Sequence, residues 1–497
     1  MYKKITIITI SLLLVIASFG ALKVWADGLT AEPLVQVSGN SPFASGCNGG
    51  SQSGVVYPNS EVEPWVAVNP TDPKNIVGAW QQGRWSTGGA NSLVSAYSTN
   101  GGKSWKQVTI PNITRCSGAD DYERASDPWV TFAPNGDLYH ISLSFNDSNT
   151  NNAVLVSKST NKGANWSEPV TLLRDTAATV FNDKESITAD RTDANYVYAI
   201  WDRLVFPTEK ARGRSPERAL GYRGPTWFAR TTDGGNSWEE AHQIYDPGEI
   251  NQTIGNQIVV MSDGTLVDGF NLIYNFKNAH KVRGYNVALL RSTDKGATWS
   301  SKAIIVDKLN GSQVVSPDDN SQLVRTGDII PEIMADPRSG DDGKKLYFVW
   351  QDTRFSGFSE IAFSMSRDGG DSWTPTIKIN KTPGDIGLNG QAFTPAINVS
   401  SDGVIAVTYY DFRNNDEGGD LETDYFVVSC HDKCDNADNW SESQVTSTSF
   451  DLAQAPVARG FFTGDYEGLG TEGSNFFAFF SQSHGSDPAS IFFSKIH

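Results

Sequence analysis

Acidic residues recur at one kind of place along this chain, just before short apolar segments that are typical of strands. Two carboxyl groups held close together can act as a proton donor and as a base or nucleophile, which is what hydrolysis of a glycosidic bond requires. A tyrosine that follows the last of these acids adds a phenol to the set. The candidate catalytic residues are Glu63, Asp127, Glu185, Glu332, Asp465 and Tyr466.

Arginines follow other apolar segments, and three of them come close behind an aromatic residue and an aspartate. A guanidinium group binds a carboxylate, sulfate or phosphate through two parallel hydrogen bonds, and a tryptophan can stack on a sugar ring. We expect these residues to meet around one central channel and to bind an anionic substrate. The candidate substrate-binding residues are Arg84, Arg203, Arg354, Arg413, Asp202, Asp352, Asp411 and Trp85.

The same residues allow a purely structural interpretation. Neighbouring aspartate and arginine side chains often pair with each other and fix a loop, because a buried charge without a partner is costly. The six histidines show no metal-ligand spacing, so neither a metal site nor a cofactor is predicted. Acid-rich segments leave a structural calcium ion open, although none has a coordination spacing that would locate it.

The elements that must position these residues are indicated by an internal repeat. The pattern Ser/Thr-x-Asp/Asn-x-Gly-x-x-Trp occurs five times, at spacings between 61 and 74 residues. Its Asp or Asn can accept hydrogen bonds from nearby backbone N–H groups, and its Gly supplies a positive φ, so each copy predicts a hairpin turn. The copies are Ser98 to Trp105, Ser159 to Trp166, Thr231 to Trp238, Ser292 to Trp299 and Ser366 to Trp373, with a degenerate sixth from Ser429 to Trp440.

Short apolar strands precede every copy in a fixed order, which predicts an all-β fold of four-stranded antiparallel blades, a β-propeller. A seventh set of three strands lies near the C-terminus, and the segment Pro33–Ser38 is expected to supply its missing outer strand and to close the ring. Seven blades are therefore preferred, and six blades with a terminal hairpin are the alternative. The prediction is one propeller domain over residues 27–497.

The repeated sequences resemble the Asp-boxes, or BNR repeats, of the sialidase (neuraminidase) superfamily. The resemblance extends over nearly the whole chain and implies a propeller that acts on glycans. The chain departs from that family at the first inner strand, which reads Glu63-Pro64-Trp65-Val66 where sialidases carry Phe/Tyr-Arg-Ile-Pro. The expected activity is that of a sialidase-like glycoside hydrolase on an acidic glycan, and a non-catalytic propeller that binds glycans or cell-surface proteins is the alternative.

The N-terminal segment carries two lysines, Lys3 and Lys4, continues with an apolar run and ends in Val24-Trp25-Ala26, which predicts a signal peptide over residues 1–26. An uncleaved membrane anchor is the alternative, and no other segment could span a membrane. A net charge of −17 repels phosphate backbones, so nucleic acid is not expected as a partner. The expected partner is an extracellular glycan or glycoprotein.

Four cysteines in an exported chain favour two disulfides. Cys47 and Cys116 both fall between a fourth strand and the next inner strand, in adjacent blades if the ring closes as predicted. Cys430 and Cys434 lie together in the degenerate sixth repeat. We therefore expect the pairs Cys47–Cys116 and Cys430–Cys434.

Overall fold

A computed structural model describes residues 28–209, 223–274, 284–416 and 418–497. Strands make up 48% of it and helices 4%, which confirms the all-β prediction. In those ranges, no helix is long and apolar enough to cross a membrane. The predicted signal peptide lies outside the described residues. The described ranges contain 3-10 turns at Arg115–Ser117, Asp342–Lys344, Gly387–Gly390, Ala437–Asn439 and Leu452–Gln454.

The first half of the chain contains a short N-terminal strand and four successive four-stranded sheets. The N-terminal strand is β1 (Val35–Gln36). Sheet 1 contains β2 (Val56–Val68), β3 (Ile76–Trp85), β4 (Ala90–Ser98) and β5 (Lys106–Thr109). Sheet 2 contains β6 (Arg124–Phe132), β7 (Leu138–Phe145), β8 (Asn152–Ser159) and β9 (Val170–Asp175). Sheet 3 contains β10 (Val180–Ala189), β11 (Val197–Val205), β12 (Thr226–Thr231) and β13 (His242–Tyr245). Sheet 4 contains β14 (Asn251–Val260), β15 (Leu266–Tyr274), β16 (Asn286–Ser292) and β17 (Ile304–Lys308).

The second half repeats this plan, with additional short strands between the sheets. After β18 (Val314–Val315) and β19 (Leu323–Arg325), sheet 5 contains β20 (Glu332–Ala335), β21 (Leu346–Asp352), β22 (Glu360–Ser366) and β23 (Ile377–Lys378). Sheet 6 contains β24 (Ala392–Val399), β25 (Ile405–Asp411), β26 (Glu422–Cys430) and β27 (Ser441–Gln444). Two short strands, β28 (Phe450–Asp451) and β29 (Phe461–Phe462), precede the last sheet. Sheet 7 contains β30 (Gly468–Glu472), β31 (Asn475–His484) and β32 (Asp487–Ile496).

The N-terminal strand completes sheet 7. Strand β1 pairs antiparallel with β32, Val35 opposite Phe493 and Gln36 opposite Phe492, so sheet 7 also has four strands. Single residue pairs between β2 and β32 and between β4 and β6 connect sheet 1 to sheets 7 and 2. The first strand of each sheet contacts the first strand of the next sheet, and the first strand of sheet 7 contacts that of sheet 1.

The repeated sequences form the turns between the third and fourth strands of sheets 1 to 5. In each turn the Asp or Asn side chain accepts a hydrogen bond from the backbone N–H four residues later, as between Asp294 and Thr298 at 2.8 Å. The glycine at the fifth position of the repeat has a positive φ, as at Gly296 with 81°. The tryptophan that follows packs on a neighbouring sheet: Trp105 lies against Phe493 of sheet 7, and Trp299 lies against Phe228 of sheet 3. The repeat therefore both closes its hairpin and joins adjacent sheets.

Both predicted disulfides are present, which confirms the pairing. The Cα atoms of Cys47 and Cys116 are 4.8 Å apart, and those of Cys430 and Cys434 are 5.7 Å apart. The first bond joins the segment before β2 to the segment before β6, in adjacent sheets. The second closes the degenerate sixth repeat, where Trp440 still packs on Phe363 of sheet 5.

Candidate functional site

The first strands of five sheets share a β-bulge at the same position. In each, the residue register shifts and one residue adopts a left-handed conformation: Glu63, Asp127, Lys184, Gly255 and Thr394, with φ between 49° and 73°. For a residue with a side chain this conformation costs on the order of 1–3 kcal/mol and is found where the surrounding structure imposes it, often at functional sites. The bulge turns the side chains of Glu63, Asp127 and Lys184 toward one another.

The ammonium group of Lys184 binds three carboxylates from three other parts of the chain. Its Nζ is 2.7 Å from Asp465 Oδ2, 3.0 Å from Asp127 Oδ1 and 3.2 Å from Glu63 Oε1. None of these four side chains is more than 7% exposed. Because an ammonium group has three hydrogens, the three carboxylates use its whole donor capacity. We call Lys184, Glu63, Asp127 and Asp465 the lysine cluster.

Three of the predicted catalytic acids are thus brought together, and the lysine between them was not predicted. The sequence analysis chose Glu185 in sheet 3 because it is acidic. The dipeptides Glu63-Pro64 and Asp127-Pro128 align with Lys184-Glu185, so Lys184 and not Glu185 occupies the bulge. The acids were also expected in loops before the strands, but β2, β6 and β10 begin earlier and carry them within the bulges.

Arg325 holds Asp465 from the other side and is a second residue that the sequence analysis missed. Its guanidinium forms two hydrogen bonds to the Asp465 carboxylate, one of 2.8 Å from Nε to Oδ1. Arg325 ends β19, which pairs with β18 and, in parallel, with β29. This small sheet, the cap sheet, brings the segment between sheets 4 and 5 against the segment before sheet 7.

Arg84 is the predicted arginine that reaches this region. Its Nη1 donates a hydrogen bond of 2.6 Å to Gln81, whose side-chain amide in turn donates to Glu63. The guanidinium groups of Arg84 and Arg325 both stack on the ring of Phe462, at 4.7 and 4.4 Å from its centre. Burial and the charge of Arg325 lower the pKa of Arg84 to about 10.

A cavity of about 410 Å³ opens beside the lysine cluster. Most of its wall comes from the segment that contains β19, with Ile254 contributed by β14 and Tyr285 by the residue just before β16. The charged residues that line it are Lys184, Arg325, Asp328, Arg459 and Asp465. This volume falls in the range of small-molecule sites, which are roughly 300–1,000 Å³.

Two of the carboxylates that bind Lys184, those of Glu63 and Asp465, have pKa values displaced in opposite directions. Burial raises the pKa of Glu63 to about 7; Lys184 opposes this rise, and Asp127 and Asp465 add to it. Burial also acts on Asp465, but Arg325 and Lys184 hold its pKa well below the usual range. At neutral pH Asp465 is therefore an anion and Glu63 is partly protonated.

Glu185, Glu332 and Tyr466 are buried and form no ion pair with the lysine cluster. Burial raises the pKa of Glu185 far above its ordinary value, and neither of its carboxyl oxygens has a hydrogen-bond partner in the described part of the chain. Glu332 accepts a hydrogen bond of 3.1 Å from the backbone of Ile397, and burial raises its pKa to about 8. The hydroxyl of Tyr466 donates a hydrogen bond of 3.2 Å to the carbonyl of Pro128. The phenol therefore has a structural partner in sheet 2.

The other predicted arginines do not reach the lysine cluster. Each forms an ion pair with an acid of its own or a neighbouring sheet, as the structural interpretation expected. The pairs are Arg203 with Asp175, Arg354 with Asp307 and Asp352, and Arg413 with Asp411 and Glu442. These arginines also stack on aromatic rings, those of Trp227, Trp350 and Phe426.

The remaining predicted binding residues have structural partners as well. Asp202 accepts hydrogen bonds from Gly255 at 2.8 Å and from Asn256 at 2.5 Å, which tie sheet 3 to sheet 4. Trp85 is stacked by the guanidinium of Arg124 at 4.5 Å, so one neighbour already covers its ring. Across the described ranges, no group of three or more histidine, cysteine or acidic residues is arranged to hold a metal ion.

Comparison with known proteins gives structural matches only. No protein-family model and no curated protein sequence matches the chain. A Dyadobacter fermentans protein of unknown function is 14% identical with a TM-score of 0.49, over 95% of this chain and 99% of that one. An α-L-arabinanase of Penicillium chrysogenum is 13% identical, TM-score 0.48, over 76% and 94%. The Hadza microbial sialidase Hz136 is 15% identical, TM-score 0.47, over 84% and 75%. Sialidases are thus among the structures to which the chain is similar.

Proposed function

We propose that the chain is a secreted glycoside hydrolase that acts on a glycan bearing carboxylate or sulfate groups. The observation that carries the proposal is the arrangement of Glu63 and Asp465, which contact one ammonium group while their pKa values are displaced in opposite directions. Carboxyl groups whose environments separate their pKa values in this way are the usual acid and base, or acid and nucleophile, of a hydrolase. Asp465 also borders the cavity.

The proposed architecture is a seven-bladed β-propeller closed by the N-terminal strand. Its support is the pairing of β1 with β32, which gives sheet 7 a fourth strand. The contact between the first strands of sheets 7 and 1 and the packing of Trp105 on Phe493 add to this support. Closure of this kind leaves no long free sheet edge, which protects an all-β protein from edge-to-edge association.

In the proposed reaction, Glu63 donates its proton to the glycosidic oxygen as the bond from the anomeric carbon to that oxygen breaks. Asp465 stabilises or attacks the anomeric carbon, and a water molecule supplies the new oxygen and returns a proton to Glu63. The Glu63 and Asp465 oxygens that contact Lys184 are at most roughly 6 Å apart, which favours retention of configuration over inversion.

The acidic substrate is proposed from the cations at the cavity. Arg325 and Arg459 border it, and together with Lys184 the cations there outnumber the bordering acids, Asp328 and Asp465, by one, in a chain whose net charge is −17. An acidic group on the substrate would be attracted there. Two disulfides suit an oxidising compartment outside the cytosol, which is why secretion is part of the proposal.

A non-catalytic glycan-binding propeller is the second candidate, and one observation favours it. The carboxylates of the lysine cluster already have strong partners, and Glu63 is only 1% exposed. A site whose acids are neutralised and covered in this way could bind a glycan in the cavity without cleaving it.

Binding and release measured together separate the two candidates. The protein is tested on an array of acidic oligosaccharides, and sugars released from the bound ones are measured by mass spectrometry. We expect release by the wild type and its loss in Glu63→Gln and Asp465→Asn, with binding retained in Glu63→Gln. Asp336→Asn is the matched control, since Asp336 is a buried aspartate held by Arg338 away from the cavity. Binding without release by the wild type would favour the second candidate.

A further inference from the structure

Lys184 contacts every carboxylate of its cluster and is itself covered by them. Its three donors are all engaged, and its side chain is 7% exposed. A substrate in the cavity would therefore find no free hydrogen on this ammonium group. Any effect of Lys184 on the chemistry must act through the acids that it holds.

The backbone at Lys184 is fitted to this task. Lys184 has φ of 50°, Glu63 has 52° and Asp127 has 53°, at the same bulge position in three successive sheets. An ordinary extended residue at any of these points would direct its side chain elsewhere. The three strained backbone positions place the side chains of Glu63, Asp127 and Lys184 in contact at Lys184 Nζ. This suggests that the surrounding structure imposes the strain in order to hold that contact.

The charges of the directly paired groups do not balance if every acid is ionised. Three acids, Glu63, Asp127 and Asp465, share one ammonium group, and Arg325 adds a second cation through its ion pair with Asp465. This excess of negative charge in a low-dielectric interior favours retention of a proton by one of the acids. The groups that face Lys184 or adjoin it are Glu63 of sheet 1, Asp127 of sheet 2, Asp183 and Glu185 of its own strand, Asp465 and Tyr466 before sheet 7, and Arg325 of the cap sheet.

We infer that Lys184 is a positioning residue that, by binding Glu63, Asp127 and Asp465 at once, fixes the proton distribution among the carboxylates of the site, so that Asp465 is kept as the anion and Glu63 as the proton donor. The inference rests on the proposed function for its role in hydrolysis, but the proton distribution itself can be measured without any substrate. Lys184 thus sets the pH at which the site works, although it does not touch the substrate.

The test is a carbon-13 NMR titration of the side-chain carboxyls, with the Glu63 signal assigned from Glu63→Gln. In Lys184→Met we expect the midpoint of Glu63, about 7 in the wild type, to rise by about one pH unit or more. The matched control is Lys295→Met. Lys295 also has a left-handed backbone and pairs with a buried aspartate, Asp190. This pair lies just after the C-terminal end of β10, whereas Lys184 lies within the strand. Its loss should leave the Glu63 midpoint unchanged.

A second variant keeps the inference testable if Lys184→Met does not fold. Asp127→Asn removes a negative charge that shares Lys184 with Glu63, so it should lower the Glu63 midpoint by a measurable fraction of a unit. An unchanged midpoint in folded Lys184→Met, or a rise in Asp127→Asn, would overturn the inference. Absence of sugar release by the wild type, with the titration shifts present, would overturn only the proposed hydrolase function. If release occurs, the pH optimum of kcat/KM should move with the Glu63 midpoint.

Discussion

Arg325 and Asp465 form a bidentate ion pair between two segments that are 140 residues apart in sequence. Arg325 belongs to the cap sheet, and Asp465 belongs to the lysine cluster. The pair therefore joins the segment that supplies most of the cavity wall to the carboxylate that carries the negative charge in the proposed reaction. Asp465 is buried and Arg325 is partly buried, with 5% and 15% of their side chains exposed.

Replacing Arg325 with alanine should weaken both stability and ligand binding. The change leaves Asp465 with Lys184 as its remaining direct ion-pair partner and raises the Asp465 pKa. Loss of one partner of a fully buried pair costs roughly 3–5 kcal/mol, and the partial exposure of Arg325 makes that range an upper bound here. Urea unfolding measures the loss of stability, and calorimetric titration with an acidic sugar measures affinity. Arg203→Ala is the control, since its partner Asp175 is away from the cavity. Equal loss of affinity in both variants would contradict the assignment of Arg325 to the binding site.

The fourth strand of sheet 7 offers a test of ring closure. The backbone N–H of Val37 donates a hydrogen bond of 2.8 Å to Ile491, next to the pairs between β1 and β32. Val37→Pro removes this donor and should lower the melting temperature and promote association through the exposed edge of β32. Val37→Ala keeps the hydrogen bond and separates the lost side-chain packing from the lost pairing. Equal melting temperatures and a monomeric elution profile for the two variants would argue against closure by this strand.

Stability should fall as pH rises from about 5 to about 8. Burial raises the pKa values of Glu61 and Glu332 to about 8, so the folded state keeps protons that the unfolded state has already released in this range. The stabilisation is complete below the unfolded value near 4.5 and is lost as pH rises through the folded value. Chemical unfolding at pH 5, 6.5 and 8 measures the slope, up to about 1.4 kcal/mol per pH unit for each group. Glu332→Gln should flatten the slope, whereas Glu249→Gln, at an exposed site, should not. A slope of the opposite sign would show that these carboxyls are ionised in the fold.

The two disulfides should differ in their contribution to stability. Cys47 and Cys116 enclose a segment of 69 residues and Cys430 and Cys434 one of 4, so the first restricts the unfolded chain much more. The chain-entropy relation gives about 4 and about 2 kcal/mol respectively. Replacing each pair by serines and measuring the free energy of unfolding gives the comparison. An equal loss would mean that local strain or packing at the sixth repeat outweighs chain entropy.

Features that the repeat controls could be predicted from the sequence, and features outside it could not. The tryptophans and turn residues recur with the sheets, so the strand order and both disulfides followed from their spacing. Lys184 was missed because a one-residue choice in a bulge, between Lys184 and Glu185, decides which side chain faces the centre. Arg325 was missed because it lies in a segment without repeats, and its position depends on parallel pairing with residues far along the chain. The arginines that did follow a pattern are held by nearby acids.

The cap sheet is made from the segments that connect sheets rather than from the sheets themselves. Residues 311–313 and 323–330 supply most of the cavity wall, and they lie outside the seven sheets. Apart from Arg325, whose ion pair with Asp465 must stay, side chains in this wall can change with less effect on the scaffold than changes within the sheets, so proteins with the same framework could differ in what they recognise. For protein engineering, these two stretches without Arg325 are the region to randomise when a new binding preference is sought.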